Sequence, residues 1–207
     1  MKKHLLIRRI AIISILSAIS TVFYLPFTRV SLPFIFPGFL ELQLSNLPAL
    51  IGGLALGPLS GCVIVLLKTI IKICISASQT AYVGDIADVF IGLACVFTAS
   101  MIYKKIHTRK GADLALFFGA CAWIVMAIIA NYLFLVDFYI SFYMHGMIES
   151  FVGACKVIPG ITVDNYKIMY LFYGCLPFNL ILSTIVCLLT SLLYKRISKL
   201  VKHFIEA

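Results

Sequence analysis

The sequence predicts an all-α integral membrane protein with six transmembrane helices, and three observations carry the prediction. Of the 207 residues, 62% are hydrophobic and only 12% are charged, about half the charged fraction of an ordinary soluble domain. Apolar stretches near or above the length needed to cross a bilayer follow one another along the whole chain. The basic residues gather at the ends of those stretches rather than along one face. A single membrane domain over residues 1–207 is the expected organisation.

Taken in order, the spans fall at about 8–25, 46–57, 59–76, 83–103, 112–135 and 169–196. The first follows Lys2, Lys3, Arg8 and Arg9 and has the outline of a secretory signal. It is expected to remain as a span. The second is short, because twelve residues rising about 1.5 Å each fall well below the roughly 30 Å of hydrocarbon. It must tilt, extend or be shielded by protein. Gly53, Gly57 and Gly61 recur at intervals of four around Pro58, which marks a tight turn between spans two and three and a packing role for the glycines.

Topology follows from the cations. Residues 2, 3, 8, 9, 104, 105, 109, 110, 195, 196, 199 and 202 lie on one side, and Arg29, Lys156 and Lys167 on the other. Both termini are therefore expected in the cytoplasm of a multi-pass plasma-membrane protein. The net charge of +9 reads as a topology signal, and no nucleic-acid partner is expected. Two long connections, 26–45 and 136–168, then lie outside. The first is rich in Pro and Phe, which suits an ordered cap or an aromatic belt at the headgroups.

Polar groups at membrane depth are costly, so each needs a partner, a ligand or a wet cavity. Lys68 and Lys72 share one face of span three, and Asp85 and Asp88 share one face at the start of span four. Antiparallel packing pairs Lys72 with Asp85 and Lys68 with Asp88, as a structural ladder or as ligand contacts. Asn131 and Asn179 each offer two donors and an acceptor. Either contacts a neutral ligand or bonds a neighbouring helix. Phe138, Tyr139, Phe142 and Tyr132 lie near them, to stack on a flat ring or to sit in the belt. Ala11, Ser14 and Ala18 form a small-residue stripe on span one, which lets another helix approach closely.

Seven cysteines without a C-x-x-C pair, and no H-E-x-x-H, argue against a disulfide framework or a metal site. A membrane enzyme would need a poised constellation. No G-x-S-x-G is present, and the four histidines, at 4, 107, 145 and 203, fall outside the spans. A free-standing secondary transporter would show matching half-repeats with broken helices, and none is visible.

Leu44-Ser45-Asn46-Leu47-Pro48-Ala49-Leu50-Ile51-Gly52-Gly53, continuing through Gly57-Pro58-Leu59-Ser60-Gly61, resembles the riboflavin-binding S components of energy-coupling factor (ECF) transporters. Pro177-Phe178-Asn179-Leu180-Ile181 with Leu192-Leu193-Tyr194-Lys195 is similar to the family's last helix, and Ile158-Pro159-Gly160-Ile161 and Asn131-Tyr132 have counterparts. The resemblance implies the six-helix ECF S-component fold and capture of riboflavin at the outer face, as transported ligand rather than cofactor. Partners follow from it too: a membrane scaffold (T) subunit, met through the helix 1 small-residue motif at Ser14 and Ala18, and two cytoplasmic ATPases. This chain has no G-x-x-x-x-G-K-[ST] phosphate loop of its own.

The chain departs from the family pattern at Asn46, where an acid is common, at Asp88, where an amide is usual, and at Leu182, where a lysine is usual. The same architecture serving another vitamin or a flavin analogue is the alternative. On the riboflavin reading, Asn131 and Asn179 face the ring edge, Gln43, Asn46 and Thr80 lie near the outer opening, and Asp88 and Lys68 complete the candidate site.

Overall fold

The computed structural model describes residues 2–76 and 81–206. Its helices are α1 (Lys2–Val22), α2 (Asn46–Leu56), α3 (Pro58–Ile75), α4 (Val83–Lys105), α5 (Arg109–Ala130), α6 (Val136–Tyr143), α7 (Ile148–Ala154), α8 (Tyr166–Met169) and α9 (Leu176–Glu206). Two π-helical turns, Asn131–Leu135 and Tyr170–Cys175, join α5 to α6 and α8 to α9. Five continuous helical stretches are long and apolar enough to cross a membrane, and Asn46–Leu56 is the short sixth.

The short helix is shielded rather than extended. All of α2 except Ala55 is buried, because it packs against α1, α3, α4 and α9. A helix that is apolar all round belongs inside protein, and α2 has no charged residue to anchor it at an interface. Gly57 takes a φ of +99° at the α2–α3 turn, a conformation that suits glycine. Gly61 lets the two helices touch: a Cβ there would lie 2.7 Å from the Gly53 Cα and 2.5 Å from Val96 Cγ1. Backbone cannot yield as a side chain does, so Gly61→Ala is expected to destabilise the protein by about 1–3 kcal/mol. Thermal unfolding in detergent measures it; a wild-type transition would show that α2 and α3 separate freely.

Several boundaries differ from the sequence-based expectation. The first helix ends at Val22 rather than near 25, since Pro26 disfavours helical backbone at the residue before it. The expected outer connection 136–168 is largely helical. The fifth stretch runs on to Tyr143 and the last begins at Tyr166, because the apolar pattern through Val136 and Ile140 continues to bury one face. Asp137 and Lys167 form an ion pair of 2.8 Å that bridges the two stretches outside the core.

The first connection is an ordered cap. It holds a 3-10 turn (Pro26–Thr28) and an antiparallel pair of two-residue strands, β1 (Val30–Ser31) and β2 (Glu41–Leu42), with Val30 opposite Leu42. Phe36 packs edge-on against Phe178 of α9 at 5.4 Å. Phe39 lies between Tyr139, Phe151 and Tyr170, with centroids 5.8, 6.0 and 5.8 Å away. The rings that suggested a lipid belt therefore divide: Phe36 and Phe39 turn inward, while Phe27 and Phe34 are exposed.

Candidate functional site

Under the cap, one cavity of about 170 Å³ is bounded by the segment just after α1 and by residues of α3, α4, α5, α6 and α9. Its apolar walls include Phe39, Trp123, Tyr139, Tyr170 and Phe178, and Asn131, Asn179, Gln43 and Asp88 supply polar edges.

Asn179 is set by its neighbours. Its Oδ1 accepts from Trp123 Nε1 at 2.9 Å and its Nδ2 donates to the Cys175 carbonyl at 2.9 Å. An indole N–H only donates and a carbonyl only accepts, so the amide orientation is fixed. Asn131 is held likewise: Nδ2 donates to the Ala127 carbonyl at 2.8 Å and Oδ1 accepts from the Tyr170 hydroxyl at 3.1 Å. Asn131 keeps one N–H and one lone pair after these bonds, while Asn179, whose Nδ2 also donates to Cys175 Sγ at 3.5 Å, keeps a lone pair. The Asn131–Tyr170 bond ties the two π-helical turns together, and such turns recur at functional sites because they re-aim side chains within a helix.

The charged groups Arg29, Glu41, Lys72, Asp85 and Asp88 also line the cavity, and Lys68 stands behind them. Lys68 is fully buried and donates to Ser45 Oγ at 2.7 Å and Asn46 Oδ1 at 2.6 Å, with Asp88 Oδ2 at 2.9 Å. Gln43 donates to the other Asp88 oxygen at 2.9 Å. Lys72 meets Asp85 at 2.7 Å, and the Tyr24 hydroxyl donates to the same carboxylate at 3.0 Å. Burial, aided by Asp88 and Asp85, pushes the Tyr24 phenol well above its ordinary range, so it remains a neutral donor. The Tyr24 ring stands between cations, 4.8 Å from Lys68 Nζ and 5.4 Å from Lys72 Nζ. Arg29 bonds the Tyr24 carbonyl and pairs with Glu41 at 3.2 Å. The antiparallel ladder expected from the Lys and Asp spacing is present.

Among the residues singled out from sequence, Asn131, Asn179, Gln43, Asp88, Lys72, Asp85 and Tyr139 line the cavity together. Asn46 and Lys68 stand behind it, joined to its wall through Asp88. Thr80 lies outside the described residues. Of the three departures from the family pattern, Asp88 and Leu182 line the cavity and Asn46 does not. Ser14 and Ala18 are exposed and Ala11 half-buried, while Ile12, Leu16 and Ser20 turn inward. The stripe thus faces away from the bundle. Sequence reasoning passed over Tyr24, Ser45, Trp123 and Tyr170; the single tryptophan, a buried donor in need of an acceptor, was the clearest signal available.

The chain is similar to known proteins in sequence and in fold. Residues 8–194 match the family model described as ECF transporter, substrate-specific component. The chain is 29% identical over 196 residues to the riboflavin transporter RibU of Staphylococcus aureus (strain TCH60), covering 95% of this chain and 93% of the relative. It is 26% identical over 192 residues to the riboflavin transporter FmnP of Bacillus subtilis (strain 168), covering 91% and 90%. A solved structure described as the S component of a bacterial ECF transporter superposes with a TM-score of 0.64 at 26% identity, covering 94% of this chain and 97% of that one. With the family model spanning nearly the whole of a multi-pass helical bundle, the chain belongs to the substrate-specific components of ECF transporters, and is a transport subunit rather than an enzyme.

Proposed function

We propose that this protein captures riboflavin in the cavity beneath the 26–45 cap, as the substrate-binding subunit of an ATP-driven ECF importer. The observation that carries the reading is the makeup of the cavity: aromatic and apolar walls, edged by two amides held in fixed orientation. A tricyclic isoalloxazine ring needs flat apolar walls, and its dione edge needs alternating donors and acceptors. Asn131 retains both and Asn179 an acceptor, and the ribityl hydroxyls match the polar edge formed by Gln43 and Asp88. The charges around the cavity are paired, Arg29 with Glu41, Lys72 with Asp85 and Lys68 with Asp88, which suits a neutral ligand over a charged vitamin. Two relatives named as riboflavin transporters support the assignment.

In this reading the protein works as a single membrane domain with both termini in the cytoplasm, as its distribution of Lys and Arg favours. The cavity then opens to the outside. Ala11, Ser14 and Ala18, on the outward face of α1, meet the scaffold (T) subunit, and two cytoplasmic ATPases drive release.

Titration of the detergent-purified protein into riboflavin tests the proposal. The expected result is quenching of flavin fluorescence that saturates at about one ligand per chain, as for a single enclosed aromatic site. A well-folded, colourless protein that leaves riboflavin fluorescence unchanged would overturn the flavin assignment and point to Asp88 and Leu182 as marks of another ligand.

A further inference from the structure

The opposite end of the bundle holds a larger cavity, of about 520 Å³, between the end of α2, the start of α3, the end of α4 and the first half of α1. Three cationic or protonatable side chains line it, Arg9, Lys104 and His107, and among the described residues no carboxylate does. Arg9 is anchored at the rim by a hydrogen bond from Nη2 to the Leu56 carbonyl, which leaves its remaining N–H groups to other acceptors. Deeper in the wall is Ser100, buried to 1% exposure, whose Oγ has no hydrogen-bond partner. A buried hydroxyl without a partner costs stability unless something fills that role. The outer lip is apolar: Leu59, Phe97 and Met101 line the cavity and are exposed on the bundle surface.

We propose that this cavity binds the phosphate headgroup of an anionic membrane lipid, with the acyl chains lying over Leu59, Phe97 and Met101. The chemistry is that of a phosphate ester carrying a hydrocarbon tail. Arg9 and Lys104 supply the charge complement, the Ser100 hydroxyl has both a donor and an acceptor for headgroup oxygens, and the apolar lip continues into the bilayer. Basic pockets between helices at the cytoplasmic leaflet favour such lipids, and most of the chain's cations lie at this end. The site is separate from the capped cavity, with which it shares no lining residue, and does not depend on the riboflavin assignment.

Native mass spectrometry of the delipidated full chain, with dioleoyl phosphatidylglycerol, dioleoyl phosphatidylcholine or inorganic phosphate added, tests the proposal. The expected result is retention of one phosphatidylglycerol per chain and little phosphatidylcholine. Arg9→Gln/Lys104→Gln should weaken retention about tenfold or more, and Ser100→Ala about threefold. Arg109→Gln/Lys110→Gln, which removes the same charge at the same end outside the cavity, should stay within about twofold of wild type. Unchanged elution on gel filtration shows that each variant remains folded. Equal retention of the two lipids, or equal losses in the two charge-neutralised pairs, would overturn the site in favour of diffuse surface attraction. Displacement of the lipid by millimolar inorganic phosphate would overturn the lipid assignment in favour of a site for soluble phosphate compounds.

Discussion

In a Lys68→Met variant, the folded state is expected to lose about 3–5 kcal/mol, enough to lower the thermal transition in detergent by a wide margin. Lys68 is fully buried and is the shared partner of Ser45, Asn46 and Asp88. Taking away the cation leaves the Asp88 carboxylate with its bond from Gln43 and leaves the Asn46 oxygen without its lysine. An uncompensated charge in a low-dielectric interior is the expensive outcome. The double variant Lys68→Met/Asp88→Asn removes both charges and should recover more than half of the loss, because a neutral amide needs no counter-ion. A double-mutant cycle in thermal unfolding measures the coupling. If the single and double variants unfold alike, the pair contributes nothing specific and the burial cost lies elsewhere.

For Asn179→Leu, the expected result is a fall in riboflavin affinity of about 10- to 100-fold with membrane insertion retained, the free-energy equivalent of one lost hydrogen bond to a group left unpaired. Two effects combine. The leucine removes an acceptor from the cavity edge, and it orphans the Trp123 Nε1–H that Asn179 accepts. Adding Trp123→Phe separates them: it removes the orphaned donor, so stability should return while affinity stays low if Asn179 touches the ligand. Asn131→Leu should weaken binding in the same direction, since it removes an equivalent amide and frees the Tyr170 hydroxyl that holds the second π-helical turn. Fluorescence titration reads all of these, and unchanged affinity in both single variants would remove the two amides from the site.

How much of this was legible beforehand differs between fold and site. The spans, the short second helix and the Lys–Asp ladder followed from one-dimensional facts: apolar length, a count of rises per residue, and charges spaced three or four apart. Those features are local, or depend only on which helices are antiparallel neighbours. The extensions of the fifth and last stretches into the expected 136–168 connection were not legible, because they are held partly by contacts such as the Asp137–Lys167 ion pair, between residues thirty apart. The role of Trp123 was hidden for the same reason, since its partner is 56 residues away.

The sequence by itself determined that the chain lives in lipid, roughly where its apolar helices run, and where charge is stored among them, because lipid admits few ways to satisfy a backbone and fewer to place a lysine. Its motifs also pointed to the family. The tertiary structure alone decided which polar residues face the ligand space and which stand behind it. Asn131 and Asn179 reach the cavity while Asn46 and Lys68 do not line it, although all four are buried polar residues in apolar helices. The physical reason is that facing depends on helix rotation and on two π-helical turns that reset the register of α6 and α9, and these are set by packing against distant segments rather than by the residues nearby in the chain.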